Sequence, residues 1–197
     1  MASIWDIKLA EFAESKKGHE YCGNPKVVES PYGKAIQFDG AGDGIFISEN
    51  PILNLKAFTI EVIFKPDSEG PVEQRFVHIG ESAGDRLLIE TRTNSEGQWY
   101  LDTFILSGQN QKALIDTSLL HPGGKWYHVA LTLDQDGLMS NYVNGKFEMN
   151  GNLEFKPFAS GQMSVGVRQN KISWYKGAIY RIRISEGVLN PDAFLPI

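Results

Sequence analysis

Ionisable side chains interrupt two hydrophobic runs near the middle of the sequence. The stretch RLLIETRTNSEGQWYLDTF, residues 86–104, has the pattern of two strands joined by a turn at residues 93–97. It places Glu90, Arg92 and Asp102 among Leu, Ile, Trp, Tyr and Phe. Charged groups are uncommon inside strands unless they are paired, solvated or used for binding or catalysis.

Period-two alternation predicts that these residues share one face of a sheet. Alternate side chains of a strand point to opposite faces, so Glu90 and Arg92 lie on one face of the first strand. A third run, QRFVHIGE, adds His78 to the same surface and sends Arg75 to the opposite face. We therefore expect one polar surface, whose members are His78, Glu90, Arg92, Tyr100 and Asp102.

Three functions fit such a surface. Aromatic rings stack on the C–H faces of sugars, while guanidinium and carboxylate groups fork onto hydroxyl or uronate groups, so the surface suits glycan binding. The same residues also suit a solvated ladder in which Glu90 pairs with Arg92. Catalysis is the third function: Glu90 and Asp102, if roughly 5–9 Å apart, would suit glycoside hydrolysis. Alternatively, His78 or Tyr100 would act as the base beside Arg92 in a polysaccharide lyase.

A second candidate surface lies in the loop sequence VRQNKISWYKGAI. It brings Arg168, Asn170 and Trp174 together around one loop. An exposed Trp beside Arg and Asn would form a platform for a sugar ring. The alternative is that Trp174 caps the core.

Metal and cofactor signals are weak. Calcium binds several oxygen ligands, and the only short acidic clusters are FDGAGDG, with Asp39 and Asp43, and LDQDG, with Asp134 and Asp136. Neither matches an EF-hand loop and turn formation explains both, so we assign no metal ligand and no cofactor, and calcium stays an open alternative. The single cysteine, Cys22, excludes an intrachain disulfide and zinc sites built from paired cysteines.

Composition narrows the class of partner. The 197 residues are 42% hydrophobic and carry a formal net charge of -5, which argues against binding of duplex nucleic acid. No apolar run approaches the roughly 18 residues that span a bilayer, so we expect no membrane insertion. The start MASIWDIKLAEF lacks the pattern of a signal peptide, and the lone thiol fixes no compartment because many secreted bacterial β proteins lack disulfides. The oligomeric state is left open.

Short β-rich runs punctuated by 20 glycines predict an all-β, antiparallel two-sheet sandwich or jelly roll. No internal repeat or linker is evident, so we predict a single domain over residues 1–197, with residues 1–34 as a terminal strand and extension on the sandwich. The segment SIWDIKLAEFAE fits a helix or a strand equally. Asn144-Gly145 and Asp136-Gly137 predict type I′ hairpins within a three-strand meander.

Five motifs in order resemble laminin-G-like jelly-roll domains of the concanavalin A-like lectin and glucanase superfamily. They are KAIQFDGAGDGIFI, FTIEVIFKP, KWYHVALTLDQDG, YVNGK and YKGAIYRIRISEGVLNPDAF, and they span residues 35–194. The resemblance implies two antiparallel sheets, one of them concave, and an extracytoplasmic location. It also implies glycan or protein partners, in some members polysaccharide cleavage on the concave face, and in many a calcium ion at a rim.

The residues favour recognition over catalysis. Retaining glycosidases of this superfamily carry an E-x-D-x-x-E strand motif, and TIEVIFKPDSE offers only Glu61 of it. The leading hypothesis is a non-catalytic module that binds a carbohydrate through the concave sheet and its rim loops. The alternatives are a polysaccharide lyase or glycoside hydrolase that uses the same face, and a structural or protein-interaction module that uses sheet edges and rim loops.

Overall fold

The alternating apolar pattern of the sequence produces β-strands almost throughout. The computed structural model describes residues 3–15 and 18–197. Besides one short helix, α1 (Leu9–Glu14), and a 3-10 turn (Pro191–Ala193), its regular elements are strands. The strands are β1 (Ser3–Lys8), β2 (His19–Cys22), β3 (Lys26–Ser30), β4 (Gly33–Asp39), β5 (Gly44–Ile47), β6 (Phe58–Pro66), β7 (Glu73–Gly80), β8 (Arg86–Thr93), β9 (Gln98–Ser107), β10 (Asn110–Ile115), β11 (His121–Pro122), β12 (Tyr127–Leu133), β13 (Leu138–Val143), β14 (Lys146–Asn152), β15 (Gln162–Val165) and β16 (Lys176–Glu186).

These strands form two antiparallel sheets. Sheet A has the order β14-β13-β12-β6-β16-β4-β3, and β1 also pairs with β16. Sheet B has the order β10-β9-β8-β7-β15-β5-β2, and β11 also pairs with β9. The predicted all-β, two-sheet jelly-roll sandwich is therefore confirmed.

Large apolar side chains from both sheets fill the space between them. Phe64 of β6 stacks on Phe76 of β7 with ring centroids 4.6 Å apart, and the indole of Trp99 meets Phe64 edge-on at 5.3 Å. One polar contact also joins the sheets, because the Thr103 hydroxyl donates to Oδ1 of Asn141 at 2.8 Å. Burial of this apolar surface supplies the main stabilisation of the sandwich.

One of the two predicted hairpin turns has the expected backbone. Asn144 and Gly145 both have positive φ, 51° and 73°, as a type I′ turn requires. The prediction for Asp136-Gly137 is wrong, because only Gly137 has positive φ. There Asp134 shapes the loop instead, since its Oδ1 accepts hydrogen bonds from the N–H groups of Asp136 and Leu138.

A buried ionic cluster anchors the last residues of the chain on the outer face of sheet A. The carboxylate of Glu61 accepts hydrogen bonds from Nε2 of His128 at 3.0 Å, Nε of Arg183 at 2.5 Å and the backbone N–H of Leu195 at 2.6 Å. Burial alone would raise the pKa of Glu61, but these donors hold it below its usual value. This cluster is structural, because every partner is part of the chain.

The N-terminal stretch, for which the sequence allowed either a helix or a strand, contains one of each. In SIWDIKLAEFAE the first half forms β1 against β16, and the second half forms α1, whose Leu9, Ala10 and Ala13 are buried. Within residues 3–15 and 18–197, no helix is long and apolar enough to span a membrane.

Candidate functional site

The charged residues that interrupt the strands meet on the outer face of sheet B. Pairing of β7, β8 and β9 places Arg75, Glu90 and Asp102 opposite one another in one cross-strand row. The next row holds Glu73, Arg92 and Tyr100. Directly opposed side chains lie about 5 Å apart at Cβ, so opposite charges in these rows are within reach of each other.

A β-bulge brings Arg75 into this surface, against the sequence prediction. The register of β7 against β8 shifts between Arg75 and Val77. The extra residue lets both Phe76 and Val77 pack in the core, while Arg75 shares its face with His78. Strict alternation had assigned Arg75 to the opposite face, so the sequence analysis missed it.

Arg75 and Arg92 hold three carboxylates in one ionic network. Arg75 Nε lies 3.0 Å from Oε1 of Glu90, and Arg92 Nε donates to Oδ2 of Asp102 at 2.9 Å. The partly exposed Glu73 bridges both arginines, at 3.2 Å from Arg75 and 2.5 Å from Arg92. The carboxylates in the strand interiors are therefore paired.

Pairing does not fully offset the burial of the two interior carboxylates. Glu90 is 2% exposed and Asp102 is 4% exposed. Burial, followed by the charge of Asp102, raises the pKa of Glu90 to about 7. Burial also raises the pKa of Asp102, against the opposing effect of Arg92. Glu90 consequently changes charge near neutral pH.

The network forms one side of an open cavity of about 210 Å³ on the outer face of sheet B. Four arginines and two carboxylates surround a floor of apolar side chains. We call it the arginine cavity; its lining residues are Arg75, Arg86, Leu88, Glu90, Arg92, Asp102, Phe104, Ala113 and Arg168.

Several buried polar atoms of the arginine cavity lack a hydrogen-bond partner within the described chain. They are Oε2 of Glu90, Nε of Arg86 and Nε of Arg168. Nε of Arg75 joins them, because its ion pair with Glu90 is not aligned as a hydrogen bond. A buried polar atom without a partner costs about 1–3 kcal/mol. These atoms are themselves shielded from solvent, but the guanidinium and carboxyl groups that carry them line the cavity.

His78 lies on the predicted face but is not available to a ligand. Its side chain is fully buried, Nδ1 accepts the backbone N–H of Gln169 at 3.1 Å, and Nε2 donates to the carbonyl oxygen of Glu81 at 3.0 Å. Burial lowers the pKa of His78 to about 4, so the ring stays neutral. His78 fixes the segment that carries Arg168, which differs from its predicted role as a polar contact.

The remaining predicted site residues lie outside the lining of the arginine cavity. Tyr100 is half-buried opposite Arg92 and lies on the same face. Asn170 is exposed and Trp174 is half-buried, on the loop that also carries Arg168. Of the three predicted residues on that loop, Arg168 lines the arginine cavity, and Asn170 and Trp174 do not.

The sequence pattern held a signal for the residues that were not selected. Arg86, Leu88 and Phe104 alternate in step with Glu90 and Asp102, so they occupy the same face. Arg86 packs over the ring of Phe104, with Cζ 5.3 Å from its centroid.

The aspartates of the FDGAGDG turn accept hydrogen bonds from backbone N–H groups. Oδ1 of Asp39 accepts the N–H groups of Ala41, Gly42 and Asp43, and Oδ1 of Asp43 accepts the N–H of Asn24. In the part of the chain that the structure describes, no group of three or more His, Cys, Asp or Glu side chains has the arrangement of a metal site.

The chain matches one family model and many solved structures. The model Laminin_G_3, described as the concanavalin A-like lectin/glucanases superfamily, matches residues 39–193. No curated protein matches the sequence significantly.

Solved structures of similar fold share little sequence with this chain. Domain 4 of AbnA, a GH43 extracellular arabinanase from Geobacillus stearothermophilus solved with arabinotriose, is 21% identical with a TM-score of 0.61, and the match covers 86% of this chain and 79% of that one. The CBM40 of the Ruminococcus gnavus IT-sialidase is 15% identical with a TM-score of 0.62, covering 97% and 96%. The binding domain of Botulinum neurotoxin serotype D is 17% identical with a TM-score of 0.69, covering 96% and 49%, so this chain spans about half of its length.

Proposed function

Because the chain belongs to the Laminin_G_3 family of the concanavalin A-like lectin/glucanases superfamily, we propose that it is a binding module for carbohydrate. The proposed site is the arginine cavity on the outer face of sheet B. The observation that carries the proposal is the lining of this open cavity, in which four arginines and two carboxyl groups surround an apolar floor.

The chemistry of the lining matches that of a sugar. A sugar ring presents hydroxyl groups around its edge and C–H groups on its faces, so it needs polar atoms at the sides of a site and an apolar surface beneath. The guanidinium groups of the lining supply donors, its carboxyl groups supply acceptors, and Leu88 and Phe104 supply the apolar surface. The arabinanase domain solved with arabinotriose supports the same class of ligand for this fold.

A glycan array of the full chain tests this proposal, followed by titration calorimetry on each hit. Replacing Phe104 by Ala removes the aromatic floor, and we expect a loss in affinity of about tenfold or more. The matched control is Phe147→Ala, an exposed aromatic on sheet A, which should bind as the wild type does. A chain that binds no glycan, or hits that are insensitive to Phe104→Ala, would contradict the proposal.

A second candidate function is cleavage of the bound polysaccharide. One observation favours it: the pKa of Glu90 is raised to about 7, with Asp102 opposite it on the next strand. A carboxyl group that is protonated near neutral pH can act as a general acid beside a second carboxylate. Overnight incubation of each array hit, followed by analysis of chain length, separates the two functions. Products that disappear in Glu90→Gln would establish the enzyme.

A further inference from the structure

We infer that the arginine cavity binds the anionic group of an acidic saccharide, a carboxylate or a sulfate, between Arg86 and Arg168. This inference rests on the proposed function and specifies the class of glycan. Two observations support it: the ion pairs of the cavity leave Arg86 and Arg168 out, and contacts within the chain hold both residues in place.

The positive charge of the cavity exceeds what the chain itself neutralises. The carboxylates of Glu73, Glu90 and Asp102 all lie against Arg75 or Arg92. Arg86 and Arg168 also line the cavity, yet neither has a carboxylate within 4.0 Å among the described residues. Two guanidinium groups are thus left without an ion-paired carboxylate in the part of the chain that the structure describes.

Arg86 is held in place by contacts that leave part of its guanidinium unused. One terminal nitrogen donates to the carbonyl oxygens of Ala83 at 3.1 Å and Gly84 at 2.8 Å, and the group packs over Phe104. Its Nε–H is buried without an acceptor. The side chain is therefore preorganised, which lowers the entropy cost of binding an anion.

Arg168 faces the same space from a segment that is fixed at both sides. The N–H of Lys171 donates to the Arg168 carbonyl oxygen at 2.8 Å, and the N–H of Gln169 donates to the buried ring of His78. Nε of Arg168 is also buried without an acceptor. Arg86, whose side chain is held, and Arg168, whose backbone is held, both line this cavity. Together they form a site for an oxyanion, because a guanidinium donates to two oxygens of such a group at once.

Electrostatic repulsion between the arginines favours an anion at the same place. Burial and the nearby charges of Arg168 and Arg75 lower the pKa of Arg86, and burial and Arg75 lower that of Arg168 against a smaller opposing effect of Glu90. A negative group between the two side chains would replace this repulsion by attraction in a partly desolvated site. The cavity volume of about 210 Å³ is below the roughly 300–1,000 Å³ of pockets for larger ligands, so it suits one charged sugar unit of a longer chain.

The test compares ligands that differ only in charge. The 197-residue chain is titrated with an oligogalacturonate, with the methyl ester of the same oligomer, and with a sulfated heparin-derived oligosaccharide. We expect at least one acidic ligand to bind about tenfold or more tightly than the neutral ester. The two acidic ligands distinguish a carboxylate from a sulfate as the bound group.

Variants locate the anion. Arg168→Gln and Arg86→Gln should each weaken binding of the acidic ligand about tenfold or more, and by a clearly larger factor than they weaken binding of the ester. Lys146→Gln, which removes one exposed positive charge from sheet A, should leave both unchanged. If Arg86→Gln unfolds because it loses its contact with Phe104, Arg168→Gln still decides the question.

The outcomes separate the inference from the function on which it rests. The inference of an anion site would be overturned if the ester and the acid bound equally, or if neither arginine variant changed binding of the acid. The proposed carbohydrate binding would still stand in either case. Failure of every saccharide, acidic or neutral, to bind would overturn both.

Discussion

Nε of Arg75 lies 3.0 Å from Oε1 of Glu90, on the neighbouring strand of sheet B. The bulge between Arg75 and Val77 makes this pair possible, because regular alternation would place Arg75 on the core side of the sheet. The other arginine near Glu90 is Arg92, whose terminal nitrogen is 3.7 Å from Oε2. Arg75 is therefore the main neutralising partner of a carboxylate that is nearly inaccessible to solvent.

Replacing Arg75 by Met should destabilise the fold in a pH-dependent way. A buried carboxylate that loses its partner costs about 3–5 kcal/mol in free energy of unfolding when it is ionised. We expect Arg75→Met to lower the free energy of unfolding by this amount at pH 8. The decrease should be smaller at pH 5, where Glu90 is protonated. Urea unfolding at both pH values measures it.

The matched control for Arg75→Met is Arg181→Met. Arg181 pairs with Asp6, and both side chains are 29% exposed, so its loss should cost about 1 kcal/mol or less. The pairing of Arg75 with Glu90 would be contradicted if Arg75→Met lowered the free energy of unfolding equally at both pH values. It would also be contradicted if Arg75→Met lowered it by no more than Arg181→Met does.

Glu90→Gln should stabilise the protein above neutral pH. Burial raises the pKa of Glu90 from its ordinary value of 4.5 to about 7 in the folded protein, so the folded state binds the proton more tightly. Its contribution to stability is therefore fully present below about pH 4.5 and is lost as the pH rises through 7. Gln resembles the protonated form at every pH, so at pH 8 we expect a gain of about 1–3 kcal/mol in free energy of unfolding.

Thermal unfolding of wild type and Glu90→Gln between pH 5 and pH 8 measures this effect. The difference in melting temperature should be smallest at pH 5 and grow as the pH rises to 8. Glu96→Gln, on an exposed turn, is the control and should follow the wild type. A Glu90→Gln variant that is less stable than wild type at pH 8 would show that the ionised carboxylate is favourable in its network.

Local pattern was enough to predict the sandwich and most of its strands. Alternation gave the hairpin of β8 and β9, and Asn144-Gly145 gave the turn between β13 and β14. β2 and β3 were not predicted, because the short runs HEYC and KVVES are partly exposed edge segments with little apolar contrast. Sheet-edge strands are defined by pairing with a neighbour more than by their own pattern.

The candidate site was predicted only in part, for a physical reason. The shared face of Glu90, Arg92 and Asp102 follows from period two, which is a local property of each strand. A bulge is set by packing across the sheet, so the contribution of Arg75 could not be read from alternation. The hydrogen bond that holds His78 against Gln169 joins residues 91 positions apart in sequence, so local pattern could not predict it.

Glu61→Gln should destabilise the protein at neutral pH. Burial alone would raise the pKa of Glu61, but His128, Arg183 and the N–H of Leu195 hold it below its ordinary value of 4.5. Its contribution to stability is present above that value and is lost as the pH falls through the lower folded pKa. We expect Glu61→Gln to lose about 3–5 kcal/mol at pH 7, because Arg183 and His128 keep their positions without a charged partner.

Acid unfolding followed by circular dichroism distinguishes this variant from wild type. The wild type should lose stability on acidification below about pH 4.5, whereas Glu61→Gln should show a flatter dependence. Glu186→Gln, an exposed residue at the end of the strand that carries Arg183, serves as the control. Parallel acid curves for Glu61→Gln and wild type would contradict the role of Glu61.

Binding of an acidic saccharide should strengthen as the pH falls from 8 to 6. Glu90 lines the arginine cavity, where Arg75, Arg92, Asp102 and Arg168 surround it. Its protonation below about pH 7 removes one negative charge that repels an anion held by the arginines, while a uronate or sulfate stays ionised in this range. We expect an increase in affinity of about three- to tenfold, measured by calorimetry with the oligogalacturonate.

The control for this pH dependence is Glu90→Gln, in which the affinity should be high and independent of pH. His78, which is buried on the same face, does not contribute, because its pKa of about 4 keeps it neutral throughout this range. Affinity that rises with pH in the wild type, or a pH dependence that persists in Glu90→Gln, would place the anion away from Glu90.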